Sequence, residues 1–158
     1  MNRWALVTGI NAFGAFVIAS VVLGQTPDAA IGTWKLNLAK SSFGASPAPK
    51  NEIYTIQPSK DGFKAVTNGV SVQGQVIHRE AVVKFDGKEY PDPTVQNATR
   101  AYKPINARTY EVVFKKNGKV SATSKVVISE DGKTRTVTEL IENDRGQSAT
   151  NIRVYDKQ

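Results

Sequence analysis

The side chains available for chemistry are few. The 158 residues include no cysteine and a single histidine. No disulfide, thiolate zinc site, iron–sulfur cluster or cysteine nucleophile can be built from them. The histidine, His78, stands in Val76-Ile77-His78-Arg79-Glu80 without a second imidazole for a metal or a relay. It reads as an ordinary strand histidine. No Gly-x-Ser-x-Gly elbow, Ser-x-x-Lys pair, phosphate loop or dinucleotide fingerprint is present. Carboxylate pairs can assemble in space from any sequence, but no spacing here points to them. No catalytic residue, metal or cofactor is expected. Arg79 is the exception to this blandness, because it falls on the apolar phase of its run with Ile77 and Val83. Facing inward it would be an anion anchor; a β-bulge would instead turn it out.

The elements that position these groups are strands. From Ile31 onward the pattern has period two and is punctuated by glycine turns. Extended runs are expected at 31–38, 52–57, 63–67, 75–85, 98–103, 109–115, 119–129, 135–142 and 147–157. Asp61-Gly62, Asn68-Gly69, Asp86-Gly87, Asn117-Gly118, Asp131-Gly132 and Arg145-Gly146 separate them, and such pairs supply the positive φ that tight hairpins need. Residues 39–50 and Tyr90-Pro91-Asp92-Pro93 read as loops, since proline interrupts both. Tyr110, Val112 and Phe114 share one face, as do Val120, Ala122, Val126 and Ile128, and Ile77, Ala81, Val83 and Phe85 share another. Eight to ten strands in consecutive hairpins expose two edges unless the sheet curls closed. The expected fold is therefore all-β, an antiparallel up-and-down barrel, with a β-sandwich as the alternative. Tyr54, Phe63, Phe85, Tyr110 and Phe114 are its expected lining.

The N-terminus belongs to a different class. Arg3 precedes a run from Trp4 to Gly24 without a charged residue, the layout of a signal peptide. Cleavage is expected near Gly24, with Gln25–Ala30 as an unstructured start and 31–158 as the domain. A cut nearer Ala30 and an uncleaved anchor are the rival readings. Loss of Arg3 leaves twenty basic and fourteen acidic residues, a net +6. The chain should then be periplasmic or secreted. A cysteine-free domain of this kind suits a bacterial envelope better than a eukaryotic secretory route. The basic residues are dispersed, densest at Lys115, Lys116 and Lys119, which serves solubility or an anionic envelope surface and not nucleic acid.

Two stretches carry a family resemblance. Gly32-Thr33-Trp34-Lys35-Leu36 is similar to the Gly-x-Trp signature of the calycins, the lipocalins and fatty-acid-binding proteins. Asn151-Ile152-Arg153-Val154-Tyr155-Asp156-Lys157 resembles the last strand of the fatty-acid-binding branch, with its Arg-x-Tyr pair. A small secreted lipocalin-like protein of bacteria is the nearest description. The resemblance implies a barrel whose two ends meet, with Arg153 and Tyr155 inside holding a ligand carboxylate. The lipocalin branch implies something else for Arg153, a clamp across Trp34 at the barrel base. If Ile152 and Val154 fill the core, Arg153 and Tyr155 face solvent. The helical lid of the fatty-acid-binding branch has no counterpart in residues 39–50.

The expectation is a monomeric binding protein for a small hydrophobic or amphipathic ligand, anionic at one end. Arg153, Tyr155, Arg79, Tyr110, Phe114 and Phe85 are its candidate contacts, and Gly32 and Trp34 its structural signature. The competing expectation is a filled barrel that acts on an envelope partner through its basic surface.

Overall fold

The computed structural model describes residues 27–142 and 146–158. The expected signal segment, residues 1–24, lies outside them. Eleven strands occur among the described residues: β1 (Gly32–Leu36), β2 (Ser42–Phe43), β3 (Asn51–Ser59), β4 (Gly62–Val70), β5 (Val76–Val83), β6 (Glu89–Pro91), β7 (Ala98–Asn106), β8 (Thr109–Lys116), β9 (Lys119–Ile128), β10 (Thr134–Glu142) and β11 (Ser148–Lys157). Ten form one sheet in the order β5-β4-β3-β1-β11-β10-β9-β8-β7-β6, and two-residue β2 pairs with β11. Every pairing is antiparallel. The sheet curls into a half-barrel whose two end strands, β5 and β6, do not pair.

The two ends of the domain meet, as the resemblance implied. β1 lies against β11 with Trp34 opposite Lys157 and Leu36 opposite Tyr155. Asn117-Gly118 makes its hairpin with φ of 51° and 76°, the left-handed pair that a two-residue turn requires.

Three local expectations need correction. Asn68-Gly69 is not a turn, because β4 runs through it to Val70. Gly69 is there for space: a Cβ would lie 2.5 Å from the Asn51 carbonyl oxygen on β3. Tyr90-Pro91 is not loop but the end of β6, the outermost strand, where a missing N–H costs no ladder bond. Val120 does not share the inner face of β9. A register shift after Phe114 sets Phe114 opposite Ala122 and Lys115 opposite Val120, which leaves Val120 48% exposed.

The base of the half-barrel is solid. Trp34, Ile56, Tyr110, Val126 and Ile128 are buried to 2% exposure or less. The Phe85 ring meets Phe63, Tyr102 and Tyr110 edge-on at 5.6, 5.6 and 5.0 Å. Residues 25–30 were expected to be unstructured, but Pro27 and Ala30 are fully buried and Asp28–Ala30 forms a 3-10 turn. This turn plugs the base, and the Ala30 carbonyl accepts the Trp34 indole N–H at 3.0 Å. Lys157 Nζ lies 5.1 Å from the Trp34 ring centre, in the clamp position considered for Arg153. Gly32 makes room for it: φ is +136°, and a Cβ would meet the Lys157 side chain at 2.9 Å.

Candidate functional site

The other end of the half-barrel carries the segment 44–50 and the hairpin tips at 71–75 and 117–118, and it is hollow. A cavity of about 220 Å³ lies above the base, walled by inward residues of β3, β4, β5, β7, β8, β9, β10 and β11. Strand alternation puts Arg135, Val137 and Glu139 of β10 on this wall, beside Arg153 and Tyr155 of β11. The wall is polar. It holds four arginines, Arg79, Arg100, Arg135 and Arg153, and four tyrosines, Tyr54, Tyr102, Tyr110 and Tyr155.

The arginines differ in how their charge is met. Arg153 Nη2 donates to Glu139 Oε2 at 2.7 Å, and Arg100 forms an ion pair with Asp92. Arg135 is only 7% exposed and has no carboxylate partner among the described residues. Its guanidinium lies 4.3 Å from the centre of the Tyr54 ring and 5.0 Å from that of Tyr155, with Nη2 donating weakly to the Tyr110 hydroxyl at 3.4 Å. Its Nε–H has no hydrogen-bond partner among the described residues. Burial works against this charge, yet the guanidinium beside Tyr110, Tyr54 and Tyr155 keeps its proton. Burial pushes the phenols of Tyr54 and Tyr102 up. It does the same to Tyr155, reinforced by Glu52, whose Oε1 accepts the Tyr155 hydroxyl at 2.5 Å. All three hydroxyls therefore stay protonated; that of Tyr155 is given to Glu52, and those of Tyr54 and Tyr102 can donate. A buried, charge-unmatched cation ringed by neutral donors is an anion-binding arrangement.

The residues expected from sequence are distributed unevenly around this centre. Tyr155 and Tyr110 line the cavity and are 2% and 0% exposed. Arg153 lines it too, already paired. Arg79 faces the cavity from β5, solvent-exposed and without an ion-pair partner among the described residues. Phe114 lies outside the central cavity, with the Arg100 guanidinium 5.1 Å from its ring centre. Phe85 belongs to the solid base and does not line the cavity. His78 is on the outer face, its Nδ1 2.7 Å from Asn68 Oδ1 on the neighbouring strand.

Arg135, the centre of the site, was not singled out from the sequence. A signal for it exists in Thr134-Arg135-Thr136-Val137-Thr138-Glu139. Three threonines on alternate positions mark the solvent face, so the arginine and glutamate between them face in.

Two further cavities of about 270 Å³ each adjoin the first. One lies beneath segment 44–50, walled by Phe43, Pro47, Pro49, Val72 and Ile77, and it shares Glu52, Arg79 and Arg153 with the central cavity. The other, between β8, β9 and β10, is walled by Phe114, Ala122 and Ile141 and shares Arg100, Val112, Ser124 and Glu139. Asn151 fastens segment 44–50 to the wall. Its side chain accepts the Ala45 N–H at 2.9 Å and donates to Ser46 Oγ at 3.0 Å and Glu139 Oε2 at 3.2 Å.

Solved structures share this architecture. The wild-type fluorescent protein UnaG superposes with a TM-score of 0.61 at 15% identity, over 84% of this chain and 100% of that one. The fatty acid binding protein of Schistosoma mansoni, in complex with arachidonic acid, gives 0.56 at 16% identity, over 85% and 99%. The zebrafish ileal bile acid-binding protein complexed with cholic acid gives 0.50 at 13%, over 82% and 99%. The likeness is one of fold, and the fold is calycin-like. No protein-family model and no curated protein sequence matches the chain.

Proposed function

We propose that this protein is an exported, monomeric carrier of a small amphipathic anion, bound in the cavity above the base. One observation carries the reading: the guanidinium of Arg135 is buried in the cavity wall without a carboxylate among the described residues to neutralise it. An uncompensated buried charge is costly to a fold, and a bound anion offsets that cost. The hydroxyls of Tyr54 and Tyr102 supply donors to the same anion. The apolar rims of the adjoining cavities supply contact for the rest of the molecule. Two of the similar structures are a fatty acid binding protein and a bile acid-binding protein, which is the same ligand chemistry. The sequence contributes export, through the uncharged run 4–24 after Arg3. A cut near Gly24 keeps the plug at Asp28–Ala30, whereas a cut after Ala30 would remove the acceptor of the Trp34 indole.

Calorimetric titration with decanoate and with decanol tests the reading. Decanoate should bind and decanol should bind at least about tenfold more weakly, since only the acid meets Arg135 with charge. Equal affinity for the two, or no binding of decanoate, contradicts it.

A further inference from the structure

The three cavities meet at an ion pair. Arg153 walls the central cavity and the one beneath segment 44–50, while Glu139 walls the central cavity and the one between β8 and β10. The two side chains are joined at 2.7 Å, so their bond stands where the hollow divides. Below this fork is the polar stem with Arg135; above it are two arms of about 270 Å³ each, with polar residues on one side and an apolar side made by Phe43, Pro47, Pro49, Val72 and Ile77 in one and by Val112, Phe114, Ala122 and Ile141 in the other. The fork is braced from the side by Asn151, fully buried and bonded to Glu139 Oε2.

We propose that the ligand is a singly charged, two-armed amphiphile, with its anionic head on Arg135 and one apolar arm in each branch. This deepens the carrier reading and rests on it. The charge count follows from the wall. Arg100 and Arg153 are matched by Asp92 and Glu139, and Glu80 pairs with Lys64 at 2.8 Å. The wall's four arginines and four carboxylates balance in number, but Glu80 is drawn to Lys64 outside the wall, so Arg135 and the exposed Arg79 stand against Glu52, one positive charge in excess that a monoanion neutralises. Shape follows from the volumes. The stem has room for about seven water-sized groups at roughly 30 Å³ each, enough for a headgroup and the first carbons. A straight chain leaving it can occupy one arm of about 270 Å³ and leaves the other to water. A branched chain fills both.

Two isomeric acids separate these cases. One carries a hexyl and an octyl chain on its α-carbon; the other is hexadecanoic acid, equal in formula and charge. Both are titrated below their critical micelle concentrations. The branched acid should bind at least about tenfold tighter, the effect of roughly two methylenes kept out of water. Ala122→Phe, which fills the arm between β8 and β10, should cut that advantage to less than about threefold. Hexadecanoic acid binding as tightly as its branched isomer overturns the two-armed ligand while leaving the anion carrier standing. So does an advantage that survives Ala122→Phe. If neither acid binds while decanoate does, the two-armed ligand falls alone; if decanoate fails as well, the carrier reading falls with it.

Discussion

Arg153 Nη2 and Glu139 Oε2 lie 2.7 Å apart on adjacent strands, so the arginine that the Arg-x-Tyr pair offers as a carboxylate anchor already holds a carboxylate. Arg135, whose neighbours are phenols, is the buried arginine that the proposed carrier offers to an anion, whereas Arg79, also without an ion-pair partner among the described residues, is exposed. The two should respond oppositely to mutation. Arg153→Met removes the partner of a Glu139 side chain that is 18% exposed, and should cost about 1–2 kcal/mol in urea unfolding, reduced from the fully buried case by residual solvent. Replacing Glu139 by Leu in the same chain should restore most of the loss. Decanoate affinity should fall by less than about threefold in Arg153→Met.

Asp92 makes stability pH-dependent. Burial alone would raise its pKa, but the N–H and hydroxyl of Thr94, at 2.7 and 2.6 Å, and the charge of Arg100 overcome that and hold it below the usual carboxylate range. The folded pKa is below the unfolded one, so the stabilisation is present above about pH 4 and is lost as pH falls through the folded value. Asp92→Asn should lower stability at neutral pH and flatten its decline in acid. Urea unfolding at pH 7 and pH 3 measures both; a loss that is equal at the two pH values contradicts the assignment.

At the base, Trp34→Ala should cost about 3–5 kcal/mol, because the ring is fully buried. Trp34→Phe keeps most of the packing but leaves the Ala30 carbonyl without its donor, for about 1–3 kcal/mol. A domain beginning at Ile31 should show a loss of similar or larger size than Trp34→Phe in thermal unfolding.

Gly69→Ala tests the crowding on β4. With the Asn51 carbonyl 2.5 Å from the new methyl, the β3–β4 pair must shift, and the cost should be about 1–3 kcal/mol. Gly118→Ala, with nothing within 4 Å, should lose less than this, through the strain of φ +76° alone.

Sequence order carried the fold well, for local reasons. Asn117-Gly118 and Asp131-Gly132 mark hairpins because their backbone needs are written in their residue types, and the antiparallel sheet follows. Asn68-Gly69 misled because the same two residues also suit a strand crowded by its neighbour, a fact held by Asn51 and not by the pair. Val120 misled because one extra residue in β9 reverses its side, and no turn residue announces it. The site was half legible. Tyr110 and Tyr155 follow from strand phase, but the state of each arginine depends on which carboxylate faces it from another strand. Glu139 lies fourteen residues from Arg153 in the chain, and only the β10–β11 register brings them together.

The most direct measurement is decanoate titration of Arg135→Met beside the unaltered protein. Methionine keeps the apolar stem and its packing on Tyr54 and removes the charge. The account predicts a loss of affinity of at least about thirtyfold, with unfolding stability unchanged or raised, because a buried unmatched charge has been removed. Unchanged decanoate affinity in a folded Arg135→Met protein would contradict it.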